Sequence, residues 1–264
     1  MERLRHLARA GPLEHALLVR ESAAAMVALG EDHAALLLAS RRLIQRHAGS
    51  GPLWWLCARM LASDDPTGEA WRCLAEIDAD PTSEHLAHHL PADATVVALG
   101  WPEAVAPALA RRGDLRVLAV DALGEGVELA RWLRSCGADV VEVPASGLGA
   151  AVTSADVVVL DAAASGPGGF LTVAGSAAAA AVAADVGVPV WVAAGVGRVL
   201  PAPMWAQLVD RRRGEAPWLA PDEVVALSGA TAVVRPQGHL SPVAPLPPDC
   251  PVAPELLSSP SNRG

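Results

Sequence analysis

From Thr95 onward the sequence alternates short β-branched runs with helix-length segments, and this rhythm restricts the chain to few architectures. The runs are TVVALG at 95–100, RVLAVDA at 116–122, ADVVEVPA at 138–145, DVVVLDA at 156–162 and VPVWVAAG at 188–195. Segments 102–112, 126–135 and 175–186 lie between them and suit helices. Strands that are apolar nearly throughout, separated by helices, predict a Rossmann-like α/β fold: a mainly parallel sheet with helices on both faces. Ligands of such sheets bind outside the carboxyl ends of the strands. The loops beginning at Leu99, Val120, Pro144, Asp161 and Ala194 are therefore the places to search for a site.

The first 90 residues follow a different period and predict a helical N-terminal domain. Leu13, Ala16, Leu17, Arg20, Ala24 and Val27 form one helix-period stripe, and 34–46 carries another. Breaks fall at Gly11-Pro12, Gly30 and Gly49-Ser50-Gly51-Pro52. Further helices are expected over 53–61 and 68–77. The Rossmann-like domain then spans 91–238, and 239–264 is expected as a Pro-rich, irregular tail.

Composition removes several function classes. All 20 basic residues are arginine, so neither a Schiff-base lysine nor a P-loop lysine is available. A net charge of −9 disfavours nonspecific nucleic-acid binding, which depends on neutralising phosphates with cations. Arg211-Arg212-Arg213 closes an expected helix, where cations meet the negative end of the dipole. The four cysteines are widely spaced, with no CxxC pair, and read as reduced thiols of a cytoplasmic protein. The longest apolar run, 171–196, is broken by Asp185, Gly187 and Pro189, so it predicts a buried helix, a turn and a strand rather than a membrane span. No secretory leader is read from the N-terminus, where Glu2, Arg9 and Glu14 interrupt the apolar positions. His85, His88 and His89 read as a solvated helix end rather than a metal site, and no cofactor is implied.

The loop Asp161-Ala162-Ala163-Ala164-Ser165-Gly166-Pro167-Gly168-Gly169 is the most informative. An acid ending a buried strand, followed by a glycine-rich turn into a helix, places a carboxylate beside a bound polyol and backbone amides beside a phosphate. The same residues also serve as an ordinary cap and turn. Arg198 follows the strand at 190–194 and is either an anion partner at the sheet edge or a surface cation.

Several segments in succession resemble the initiation factor 2B α/β/δ family, which includes methylthioribose-1-phosphate and ribose-1,5-bisphosphate isomerases. They are SRRLIQRHAGSGPLWWLCARML at 40–61, TVVALGWPEAVAPAL at 95–109, 115–146, 155–201 and DEVVALSGATAVVRP at 222–236. The order of these segments agrees with the family as well. The departures are large. Where the isomerases place a cysteine after the first strand, this chain has Ala98-Leu99-Gly100-Trp101, and Trp101 either stacks on a ligand or fills the vacated space. The family's Glu-Ser/Thr-Arg-Pro motif becomes Ala119-Val120-Asp121-Ala122, without its sugar-binding arginine. Gly-Ala-Asp is reduced to Leu160-Asp161, and Asn-Lys becomes Thr172-Val173 ahead of Ala174-Gly175-Ser176.

The resemblance thus implies a noncatalytic binding or regulatory protein with a degenerate active site, taking a small phosphorylated sugar or nucleotide. Its expected ligand-binding residues are Gly100, Trp101, Asp161, Gly168, Gly169, Gly175, Ser176 and Arg198. Two alternatives stand beside it: an aldose-ketose isomerase using Asp161, and a structural subunit with a closed pocket. A homodimer through the second domain is expected from the family and from Trp191, Trp205 and Trp218 as interface anchors.

Overall fold

The computed structural model describes residues 15–30, 32–212, 216–240 and 246–257. The segment 1–14, which holds Glu2, Arg9, Leu13 and Glu14, lies outside the described residues, as do Arg213 and the final SSPSNRG. Four helices come first: α1 (His15–Val27), α2 (His33–Arg46), α3 (Gly51–Ala62) and α4 (Pro66–Asp78). Asp32 and Asp65 start α2 and α4 by accepting hydrogen bonds from Ala35 N and Gly68 N. Trp54, Trp55, Leu56 and Met60 of α3 are buried among Leu18, Met26, Leu43 and Ile44. Each such side chain contributes roughly 1.5–3 kcal/mol on burial.

The helix α5 (Thr82–His89) continues the chain but packs on the sheet instead, with Leu86 and Ala87 in the core under that face. Then follow β1 (Thr95–Leu99), α6 (Ala106–Ala110), β2 (Arg116–Val120), α7 (Glu125–Ser135), β3 (Asp139–Val143), α8 (Leu148–Thr153) and β4 (Val157–Asp161). After two short strands come α9 (Ser176–Val186), β7 (Val190–Ala193), α10 (Ala202–Arg212) and β9 (Ala232–Arg235). The strand order is β10-β9-β7-β4-β1-β2-β3, parallel throughout except for β10 (Gly238–Leu240), which pairs antiparallel with β9. Both faces are covered: Val96 and Ala98 of β1 enter one core with α5, α6 and α7, while Val97 and Leu99 enter the other with α8 and α9. The mainly parallel α/β architecture expected from the rhythm of the sequence is present.

The apolar run from Leu171 to Val196 resolves into the end of a strand, the helix α9 and β7. Ala179, Ala180 and Ala183 bring α9 close to the sheet, and Gly187 ends it in the left-handed region with φ +75°. Among the described residues no helix is long and apolar enough to cross a membrane.

One expectation needs correction. The glycine-rich turn after Asp161 does not lead into a helix. It forms a hairpin of β5 (Ala164–Gly166) and β6 (Gly169–Val173), joined antiparallel by β8 (Asp222–Val225) into a second, three-stranded sheet. The reason is steric. A Cβ on Gly166 would lie 2.3 Å from Trp205 Cγ, and one on Gly169, at φ +146°, would lie 2.2 Å from the Val225 carbonyl. These glycines let the hairpin lie flat against α10 and β8.

The described part of the C-terminal segment has no helix or strand over 246–253, and it is packed against the rest of the chain. Asp249 accepts from Val199 N and pairs with Arg235, and the Asp249 carbonyl accepts from Trp55 Nε1 at 3.1 Å. Cys250, Ala253 and Leu256 then enter the core of the helical unit, the last on the short helix α11 (Pro254–Leu257). Apolar side chains spaced along a Pro-rich stretch suffice to bury it, even without a regular period.

Candidate functional site

In the strand order β1 runs to β2 and β3 on one side, while β4 returns to the other. The switch point therefore lies between the carboxyl ends of β1 and β4, at Leu99-Gly100-Trp101 and Leu160-Asp161. A cleft of about 740 Å³ opens there, between the sheet edge and the helical unit. Its walls come from α1 (His15, Leu18), the 46–50 turn, Leu99 of β1 with Trp101 to Glu103 after it, Leu123 before α7 and Glu125 at its start, Thr172 and Val173 of β6, Ser176, and Arg212 with Asp222. This size and mixture of apolar and polar walls suit a small-molecule ligand.

Asp161 ends β4 at the floor of the cleft. Its Oδ2 accepts from Ala104 N at 3.0 Å, and its Oδ1 lies 3.7 Å from Arg198 Nη1 without a hydrogen-bond partner. Arg198 is buried, donating to the Ala162 carbonyl at 2.6 Å and to Glu103 Oε2 at 3.2 Å. Glu103 also accepts from His15 N, and His15 Nδ1 shares a 2.9 Å hydrogen bond with Ser50 Oγ. Burial raises the pKa of Asp161, Arg198 opposes the rise and Glu103 adds to it. Burial pulls His15 down to about 3, with Arg198 adding to the effect, so its ring is neutral at pH 7. One guanidinium thus serves two carboxylates beside a neutral imidazole.

Of the expected site residues, Trp101, Asp161 and Ser176 line the cleft. Trp101 packs its indole on Trp132 with ring centroids 5.7 Å apart. Ser176 begins α9; its hydroxyl is buried without a partner, which costs about 1–3 kcal/mol if nothing meets it. Gly100 and Gly175 take left-handed conformations next to Trp101 and Ser176 and shape the rim without lining it. Gly100 also approaches the Glu125 carboxylate, 3.3 Å from where a Cβ would stand.

Three expected positions fall elsewhere. Gly168 and Gly169 lie on the hairpin against Trp205 and Val225, away from the cleft, so the turn makes no cradle for a ligand there. Arg198 is neither a surface cation nor an anion's partner in the cavity; it lies beneath the floor and is held by Glu103, Asp161 and the Ala162 carbonyl. His85, on α5, bonds the Arg235 carbonyl through Nδ1 at 3.1 Å.

Glu103, His15, Ser50 and the Arg212–Asp222 pair were not anticipated from the sequence. Glu103 follows β1 in a loop that the carboxyl-edge rule selects, so it was findable there. The others come from distant helices and the small sheet, and nothing in their local sequence marks them.

The arrangement defines a class: a doubly covered parallel sheet with a helical unit over its carboxyl edge and an acid at the switch point. No family model matches the chain, and no curated protein matches its sequence. Solved structures do. A translation initiation factor eIF-2B from Pyrococcus horikoshii OT3 aligns with TM-score 0.77 and 14% identity, covering 91% of this chain and 96% of that one. A tetrameric eIF2B-beta2-delta2 complex from C. thermophilum aligns with TM-score 0.69 and 16% identity, over 91% and 89%. The 5-methylthioribose 1-phosphate isomerase from Pyrococcus horikoshii OT3 gives TM-score 0.66 and 14% identity, over 91% and 84%. The chain has the fold of the eIF2B subunits and of this isomerase.

Proposed function

We propose that this protein is a noncatalytic binding or regulatory member of the eIF2B-like fold group, holding a small molecule in the cleft over Asp161. One observation carries the reading: no cysteine lines the cleft. Cys57, Cys73 and Cys250 are buried with their thiols pushed up to about 12, chiefly by burial, and Cys136 sits just past the end of α7. A thiolate nucleophile or base therefore has no place beside Asp161. The sugar phosphate or nucleotide implied by the sequence resemblance is one candidate ligand.

The test is an isomerase assay with ribose 1,5-bisphosphate and methylthioribose 1-phosphate. No turnover is expected. Turnover at ordinary enzymatic rates that disappears in Asp161→Asn would overturn the reading. That outcome would support the isomerase alternative, which draws on the raised pKa of Asp161 and its buried, unpartnered Oδ1. If no ligand binds at all, the structural-subunit alternative stands.

We further propose a homodimer in the cytoplasm. An eIF2B complex of this fold is tetrameric. Trp218 and Leu219 are 79% and 77% exposed, an apolar pair at the surface that suits an interface.

A further inference from the structure

Helix N-termini and loop amides at a sheet's carboxyl edge hold phosphates because their N–H groups lack partners and carry the positive end of the helix dipole. Around this cleft several such groups are taken by the chain's own oxygens. Glu223 Oε1 accepts from Ala177 N at the start of α9, at 2.8 Å. Asp121 Oδ1 accepts from Gly126 N at the start of α7, at 3.1 Å. Glu125 Oε2 and Asp161 Oδ2 accept from Trp101 N and Ala104 N, at 3.3 and 3.0 Å. At the start of α3, Gly51 N is bonded to the Ala163 carbonyl, and Pro52 has no N–H to offer.

Two of the arginines at the cleft are committed in the same way. Arg212 of the cleft wall is paired with Asp222 at 2.6 Å, and Arg198 is held beneath the floor. Arg46, at the exposed end of α2, is the other arginine on the wall. Apart from Arg46 at the rim, what remains for a ligand is hydroxyl-type chemistry. Asp161 Oδ1 and Ser176 Oγ are buried under the cavity without partners, beside an apolar wall that includes Leu99, Trp101 and Val173.

We infer that the cleft takes an uncharged, hydroxyl-bearing molecule with an apolar body, of nucleoside or free-sugar type, and discriminates against its phosphate ester. The inference rests on the reading of the cleft as a ligand site. A ligand hydroxyl donates to Asp161 Oδ1 and satisfies Ser176 Oγ, the two groups left open. A phosphate in the same place meets Glu103, Glu125 and Asp161, with the amides of Trp101, Ala104 and Ala177 already engaged, so it gives up its hydration largely for repulsion. The built-in carboxylates are thus the element that rejects the charged relative.

The experiment uses the full chain and two matched pairs: adenosine with adenosine 5′-monophosphate, and ribose with ribose 5-phosphate. Saturation-transfer NMR detects binding and calorimetry ranks it. The uncharged member of at least one pair is expected to bind ten-fold or more tightly than its phosphate. Asp161→Asn should weaken that binding several-fold, and Glu125→Gln with Glu223→Gln should narrow the gap within the pair. A phosphate that binds as well as or better than its uncharged partner, and is lost in Arg46→Gln, overturns the inference while leaving the cleft a ligand site. Binding unaffected by Asp161→Asn lies elsewhere and overturns the assignment. No binding by any of the four probes removes both the inference and the ligand-binding reading.

Discussion

His15 makes the cleft's electrostatics measurable as stability. Its ring is neutral in the folded protein, with a pKa lowered from 6.5 to about 3, whereas the unfolded chain protonates it normally. The folded pKa is depressed, so the unfolded state binds the extra proton and stability falls as pH drops below 6.5. The loss continues down to about pH 3. At pH 5.5, about one unit below the unfolded value, it amounts to about 1.4 kcal/mol, against almost nothing at pH 7.5. For a chain of this length that is a melting-temperature decrease of about 3–5 °C. Asp161 works in the opposite direction: its folded pKa is raised, so acidification relieves its burial. Comparison with His15→Gln separates the two, because the variant keeps Asp161 and the other acids. Differential scanning calorimetry of both proteins at pH 7.5 and 5.5 should show the variant losing about 3–5 °C less than the wild type on acidification. Equal losses would mean that the imidazole titrates normally, and that the buried Arg198–Asp161 environment assigned to it is wrong.

Two further outcomes follow from packing. Gly166→Ala places a methyl 2.3 Å from Trp205 Cγ and should cost about 1–3 kcal/mol, read as a lower urea midpoint with unchanged slope; no shift would show that the hairpin stands off α10. Trp218→Ala should weaken the proposed dimer in sedimentation and leave the melting temperature unchanged at concentrations where the protein is monomeric, whereas Trp205→Ala, at a buried position, should destabilise the fold at any concentration. A concentration-independent monomer at micromolar protein would end the dimer proposal.

The contrast among the tryptophans shows where sequence reasoning stops. Trp191, Trp205 and Trp218 look alike as late aromatics in a chain poor in them, yet Trp205 is 6% exposed against Gly166 and Gly168, Trp191 lies against the sheet core, and only Trp218 stands free at 79%. Composition ranks apolar side chains by type; which of them face solvent depends on what the rest of the chain lays over each one.

The sequence by itself determined the parallel sheet, its covering helices and the position of Asp161 at a strand's carboxyl end. Those features rest on periodicity and β-branched runs, which are local and survive in one-dimensional text. The loop that holds Trp101 was legible for the same reason, whereas Trp101 and Ser176 as site residues came from the family resemblance. Only the tertiary structure decided that Arg198 turns inward to join Glu103 and Asp161, that His15 arrives from α1, and that Gly168 and Gly169 serve a hairpin instead of a ligand. It also decided that Asp121, Glu125 and Glu223 occupy the amides of the cleft rim. These partners are brought together across up to 95 residues of sequence by hydrogen bonds whose donors and acceptors are common everywhere in the chain. No local pattern distinguishes the pair that meets from the many that do not, because the distance between them is fixed by the packing of whole helices and sheets.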